Sequence, residues 1–129
     1  MRLPTPRHVW LATLTLGLGT LVLGFGYLTT KVYRVPELEE QSVVAVIERP
    51  LGGLMLVVGA WVFVAGLTGC GRAIAHAVAA ILHGAYFVAL AATYVLAYPL
   101  QPEQGVALGL FGLVAHGGAS IDYWQRGWR

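Results

Sequence analysis

The stretch 51-LGGLMLVVGAWVFVAGLTGCGRAIAHAVAAILHGAYFVALAATYVLAY-98 decides the fold. No charged residue occurs from Leu51 to Leu67, and none from Ala73 to Tyr98. Each run reaches the roughly 20 residues that a helix rising about 1.5 Å per residue needs to cross about 30 Å of hydrocarbon. Between them lies the tight element Gly69-Cys70-Gly71-Arg72. Inside lipid the backbone must satisfy its own N–H and C=O groups, so both runs are read as helix although Gly, Val and Tyr are mediocre helix formers in water. The stretch is therefore expected to be a transmembrane hairpin.

The rest of the chain agrees with that reading. Its 129 residues are 57% hydrophobic and 11% charged, with a mean hydropathy of +0.71. That is too apolar for a soluble domain and long enough for four spans joined by short connections. One all-α, integral membrane four-helix bundle is expected, a single domain over residues 1–129 with spans at about 9–29, 51–68, 73–98 and 105–121. The net charge of +2 is spread over both ends and the first loop without a dense basic block, so nothing points to nucleic acid. A single cysteine, Cys70, forms neither an internal disulfide nor a dithiol pair. Seven arginines against one lysine, with abundant Ala, Gly, Val and Leu, hint at a GC-rich bacterial or bacteriophage genome.

Arg2 and Arg7 precede an apolar run from Val9 to Thr29 that looks like a signal peptide but exceeds the apolar region of about 7–15 residues such a signal carries, so it is read as an uncleaved span. Within it Thr13, Gly17, Thr20 and Gly24 share one helical face. Small residues mark interfaces in lipid, where helices associate by close backbone approach. Gly52, Gly59 and Gly66 repeat that theme in the second span, and Gly105, Gly109, Gly112, His116 and Ser120 do so in the fourth. The polar loop 31–50 holds Pro36 ahead of Glu37, Glu39 and Glu40, which predicts a short interfacial helix from Pro36 to Ile47. Glu48-Arg49-Pro50 is expected to turn the chain into the second span. Tyr94 and Tyr98, and the closing Asp122-Tyr123-Trp124 with Arg126, Trp128 and Arg129, suit headgroup boundaries.

Arg2, Arg7, Arg72, Arg126 and Arg129 fall on one side, and Lys31, Arg34 and Arg49 on the other. Lys and Arg favour the cytoplasm, so both termini are placed there, in a bacterial cytoplasmic membrane. Glu48, Arg49, Arg72 and Asp122 are read as membrane-boundary charges. His76, His83 and His116 are the only ionisable side chains well inside the spans, which makes them the candidate cofactor site. Counted from the cytoplasmic ends, His116 falls between His76 and His83 in depth, and three imidazoles near one level are able to ligate haem or a metal. The plainer reading is that each ring hydrogen-bonds a Ser, Thr, Tyr or carbonyl across helices, and it is favoured because no carboxylate or thiolate ligand lies nearby in sequence. No metal site and no catalytic residue are assigned, and no cofactor is expected, with haem and quinone left open. No Ser-His-Asp order, phosphate loop, HExxH or paired-carboxylate spacing occurs.

GYLTTK (26–31), ERPLGGLMLVVG (48–59), the GCGRA turn (69–73) and GGASIDYW (117–124) carry a resemblance to the DoxX-like family of small four-helix bacterial membrane proteins. The resemblance implies a membrane subunit associated with thiol or thiosulfate oxidation and a quinone acceptor, with Glu48 and Asp122 at family-like positions. The absence of a redox cysteine pair departs from that chemistry. The function expected is a non-catalytic or accessory membrane subunit beside a redox partner, in contact with lipid and assembled with copies of itself or with a membrane or peripheral protein. A phage-encoded membrane protein, a holin or a superinfection-exclusion factor, is the alternative, since Gly-rich packing faces and basic ends suit it equally well.

Overall fold

The computed structural model describes residues 7–29, 43–97 and 104–126, with 43–49, 90, 92–97 and 104–106 described by their backbone alone. Four helices account for nearly all of them: α1 (Arg7–Thr29), α2 (Val43–Thr68), α3 (Arg72–Ala97) and α4 (Gln104–Arg126). They form an all-α bundle in which α1 packs on α2, α2 on α3 and α3 on α4, while α1 and α4 meet only sparsely. Three segments are long and apolar enough to cross a membrane, Arg7–Thr29, Pro50–Thr68 and Arg72–Ala89. α4 matches them in length but is diluted by Gln104, His116, Ser120, Asp122, Gln125 and Arg126.

Glycine interlocks α1 with α2. A Cβ on Gly24 would stand 2.7 Å from the Leu56 nitrogen and 2.8 Å from the Gly52 carbonyl oxygen, and one on Gly59 would stand 2.7 Å from the Leu21 nitrogen. Gly66 meets the Leu14 side chain in the same way, at 2.8 Å. Gly17 and Gly24 of α1 and Gly52 and Gly59 of α2 are thus the two sides of one close contact, while Thr20, read on the same face of α1, turns to α3 and α4. Gly109 repeats this between α4 and α3, 3.1 Å from the Phe87 Cα, and Gly112 lies against the His83 ring. The surroundings of Gly105 lie outside the described residues, as do the side chains of Glu48, Arg49 and Tyr94 and all of Tyr98.

The hairpin between α2 and α3 is closed by two glycines with left-handed φ, Gly69 at +79° and Gly71 at +68°. The Gly69 N–H donates to the Ala65 carbonyl at 2.9 Å, an αL cap that ends α2. Arg72, expected as a charge at the membrane boundary, is buried beneath this turn. Its Nε donates to the Ala65 carbonyl at 3.1 Å and its Nη2 to the Gly66 carbonyl at 2.8 Å, so the cation satisfies the negative end of the α2 dipole.

The entrance to α2 differs from expectation. Residues 36–42 of the predicted interfacial helix lie outside the described residues, and 43–47 belong to α2, which runs without a turn through Glu48, Arg49 and Pro50. Pro50 has no N–H for the carbonyl of Val46. That deficit falls just before the apolar segment begins, where water can hydrate the free carbonyl, so the helix persists across it.

Among the described residues the exterior is largely apolar, and the interior mixes polar with apolar side chains. Leu18, Val22, Phe25, Val57, Val64, Ile81, Phe111 and Val114 are all exposed, whereas Thr13, Thr20, His76, His83 and His116 are buried. Apolar cores form beside them from Val58, Val62, Ala65, Ala75 and Ala79, and from Tyr27, Leu51, Met55 and Tyr86.

Candidate functional site

Seven-residue spacings on three helices bring polar side chains to one internal line. α1 contributes Thr13, Thr20 and Tyr27, α3 contributes His76 and His83, and α4 contributes His116 and Tyr123. A period of seven returns to nearly the same helical face every two turns, so each set stacks along the bundle axis. Thr13, Thr20, His76, His83, His116 and Tyr123 are each no more than 2% exposed.

Hydrogen bonds join them end to end. Thr13 Oγ1 is 2.6 Å from the Tyr123 hydroxyl and 3.2 Å from His76 Nε2. His76 Nδ1 and His116 Nδ1 are 2.9 Å apart. His116 Nε2 is 3.1 Å from Thr20 Oγ1, which is 3.2 Å from His83 Nε2. Both threonines also reach back one turn, Thr13 to the Val9 carbonyl at 3.1 Å and Thr20 to the Leu16 carbonyl at 3.0 Å. The rings pack as well as bond: His83 and His116 lie 5.3 Å apart at 16°, and His76 and Tyr123 lie 5.7 Å apart at 17°. The Arg72 guanidinium carbon sits 5.7 Å from the centre of the Tyr123 ring, tying the cluster to the end of α2.

A neutral imidazole carries one N–H and one bare nitrogen. Because His76 and His116 share a contact between their Nδ1 atoms, one must hold its hydrogen on Nδ1 and the other on Nε2. Either assignment gives each link between these side chains one donor and one acceptor, but the threonine that donates to the bare imidazole nitrogen then gives up its bond to the carbonyl one turn back. Five of the six ring nitrogens are engaged, and His83 Nδ1 alone has no hydrogen-bond partner. It faces Gly112, where a Cβ would stand only 2.3 Å away.

The structure therefore brings the three predicted histidines together, with His116 between the other two as their depths predict. Among the described residues no group of three or more His, Cys, Asp or Glu side chains takes up metal-binding geometry. Five of the six ring nitrogens are directed at one another and at threonines, so a haem or a metal held by all three histidines would have to open the cluster first. Cys70 is exposed at the hairpin turn. Asp122 pairs with Arg126 one turn on, at 2.7 Å, on the surface.

The partners of the histidines are harder to see in sequence. Thr13 and Thr20 read there as small packing residues and Tyr123 as part of an aromatic boundary, yet all three are buried in the polar chain. Tyr27 and Tyr86 also meet inside, hydroxyl to hydroxyl, with rings edge to face at 5.2 Å. The shared seven-residue spacing of Thr13, Thr20 and Tyr27 with the histidine pairs is the signal that points to them. Beside Thr13 a groove of about 360 Å³ opens between α1 and α4, with His8, Ala12, Leu16, Ala115 and Asp122 in its walls. No family model, curated protein or solved structure matches the chain.

Proposed function

We propose that this chain is a polytopic protein of a bacterial cytoplasmic membrane, crossing it four times with both termini in the cytoplasm. It serves as a non-catalytic accessory subunit of the DoxX-like kind, held beside a redox partner. The observation that carries the reading is the inverted polarity: a histidine, threonine and tyrosine interior inside a shell of exposed Leu, Val, Ile and Phe. In water that shell would be a large aggregation-prone surface, and in lipid it is the matched one.

The pairing of α4 with α3 supports a fourth crossing. Gly109 lies against Phe87, His116 bonds His76, and Ser120 donates to the Ala73 carbonyl at 2.9 Å. α4 thus lies alongside α3, and its outward residues Leu110, Phe111, Val114 and Ile121 are apolar, as a fourth span requires. The excess of Arg at the termini and at the Arg72 turn supports the orientation. The inward direction of the polar chain favours an accessory subunit over a hole-forming phage protein, which needs polar side chains on an outer face to line water.

A reporter active only in the cytoplasm, fused after Arg129 or inserted within residues 101–104, tests the topology: signal is expected from the first fusion alone. Signal from both would remove the fourth span, and the reverse would invert the protein. For the role, isolation in mild detergent from its native host is expected to yield an oxidoreductase in complex with it. A gene placed next to an endolysin, with host lysis triggered on expression of the two together, would replace this reading with the phage one.

A further inference from the structure

The buried chain of bonds is longer than helix packing requires. The bonded row runs from the level of Thr13 to that of Thr20, seven residues of α1 or about 10 Å at 1.5 Å per residue, and the separate Tyr27–Tyr86 pair stands seven residues further along, against about 30 Å of hydrocarbon. One end, Thr13, lies on the wall of the groove that also holds His8 and Asp122 near the helix ends. The other end, His83 Nδ1, is buried and unpartnered, and Tyr86, paired with Tyr27, follows three residues later on the same side of α3. Polar groups this deep in lipid are costly, and helix association needs only one or two of them.

We propose that Thr13, His76, His116, Thr20 and His83 form a proton relay inside the bundle, with His83 as its far end. In one order of hydrogens, reached when both hydroxyls turn from the Val9 and Leu16 carbonyls, Thr13 donates to His76 Nε2, His76 Nδ1 to His116 Nδ1, His116 Nε2 to Thr20, and Thr20 to His83 Nε2. A proton arriving from the groove binds the Thr13 oxygen as the Thr13 hydrogen passes to His76. Each following group accepts at one atom and releases at the other, and the proton leaves from His83 Nδ1. Nothing is oxidised or reduced, one proton enters and one leaves, and every bond in the row has reversed direction. Rotation of the two hydroxyls and exchange of the imidazole tautomers restore the first order. His83 is held by a single hydrogen bond, through Nε2 to Thr20, whereas His76 and His116 are each held by two. Its Nδ1, packed against Gly112, is thus the one ring nitrogen of the row from which a proton can pass on, on the side of α3 that also carries Tyr86.

This inference rests on the membrane-spanning reading, and its test separates the two. The full chain is reconstituted into phospholipid vesicles enclosing a pH dye, and a potassium gradient with valinomycin supplies the driving voltage. Proton entry is expected to run several-fold faster than in protein-free vesicles. It should fall to the protein-free rate in His116→Gln, which keeps a polar partner but has no second nitrogen to relay through, and in Thr20→Val, which keeps the shape and loses the hydroxyl. Ser120→Ala, which removes a bond outside the row, should conduct as the parent does. Thermal unfolding of each variant in detergent shows whether it is folded, so that Thr20→Val decides where His116→Gln is not. Protein that resists alkaline carbonate extraction yet conducts no faster than empty vesicles, or conducts equally well in both variants, overturns the relay and leaves the membrane reading intact. Protein stripped off by carbonate overturns both.

Discussion

Gly17 of α1 lies so close to Phe63 of α2 that a Cβ on it would stand 2.7 Å from the Phe63 backbone nitrogen and 3.0 Å from its Cα. Backbone atoms cannot rotate away as a side-chain tip can. Relieving the overlap means separating α1 from α2, along a contact that Gly24, Gly52 and Gly59 hold equally tight.

Gly17→Ala and Gly24→Ala are therefore expected to destabilise the bundle by about 1–3 kcal/mol, the range of core overpacking. Gly19 and Gly53 are the controls, since a Cβ at either meets nothing within 4 Å. Alanine there removes a poor helix former and is expected to raise stability by roughly 0.5–1 kcal/mol. Thermal unfolding in one detergent compares all four. A uniform response would mean that the α1–α2 contact is not made backbone to backbone.

The hairpin turn predicts a second series. Gly69 has a φ of +79°, a region that costs an L side chain about 1–2 kcal/mol, so Gly69→Ala should lose about that much. Arg72→Gln should lose roughly 1.5–3 kcal/mol, as expected of charge-assisted bonds, because the Ala65 and Gly66 carbonyls lose the guanidinium that spans them. Arg72→Lys keeps the charge without the planar fork and should fall between. If Arg72→Gln and Arg72→Lys unfold together with the parent, the cation serves orientation and not the helix end.

Which parts of this were legible in sequence follows from the range of the interactions. The packing faces of α1, α2 and α4 were readable because a small residue every three, four or seven positions is a local pattern, and in lipid that pattern has one main use. The three histidines stood out because ionisable side chains are rare in apolar runs. Their partners did not, since nothing local says that Thr13 faces Tyr123, 110 residues away. The burial of Arg72 was equally hidden: an arginine at a turn reads as a boundary charge until the carbonyls it caps are placed. The helix through Pro50 escaped for the opposite reason, because a local rule against proline was followed where a solvated helix edge relaxes it.

Gly112 gives a prediction specific to the site. A Cβ there would stand 2.3 Å from His83 Nδ1 and 2.4 Å from its Cγ, whereas at Gly84 the nearest atom is a Leu113 methyl at 3.3 Å. Gly112→Ala should displace the ring, weaken its bond to Thr20 and cost about 1–3 kcal/mol, while Gly84→Ala, facing a side chain that can give way, should be nearly silent. Chemical denaturation in detergent measures both, and equal effects would show that the ring has room to move aside.

The last prediction concerns what the histidines hold. With five of the six ring nitrogens engaged among themselves and the two threonines, only His83 Nδ1 is left over, and the purified protein is expected to be colourless and free of stoichiometric metal. His76→Leu leaves Thr13 and His116 each short of a partner, at about 1–3 kcal/mol for a buried group so stranded, whereas His76→Gln keeps a donor and an acceptor within reach of both and should cost less. A true ligand set behaves differently, because glutamine then fails as completely as leucine and binding is lost with either. An absorption spectrum and metal analysis of the parent, with stability measured for the two variants, decide the matter. A Soret band or about one metal per chain that disappears in His116→Ala would show that the cluster opens to take a cofactor, since the loss of one strong ligand removes much of the binding free energy.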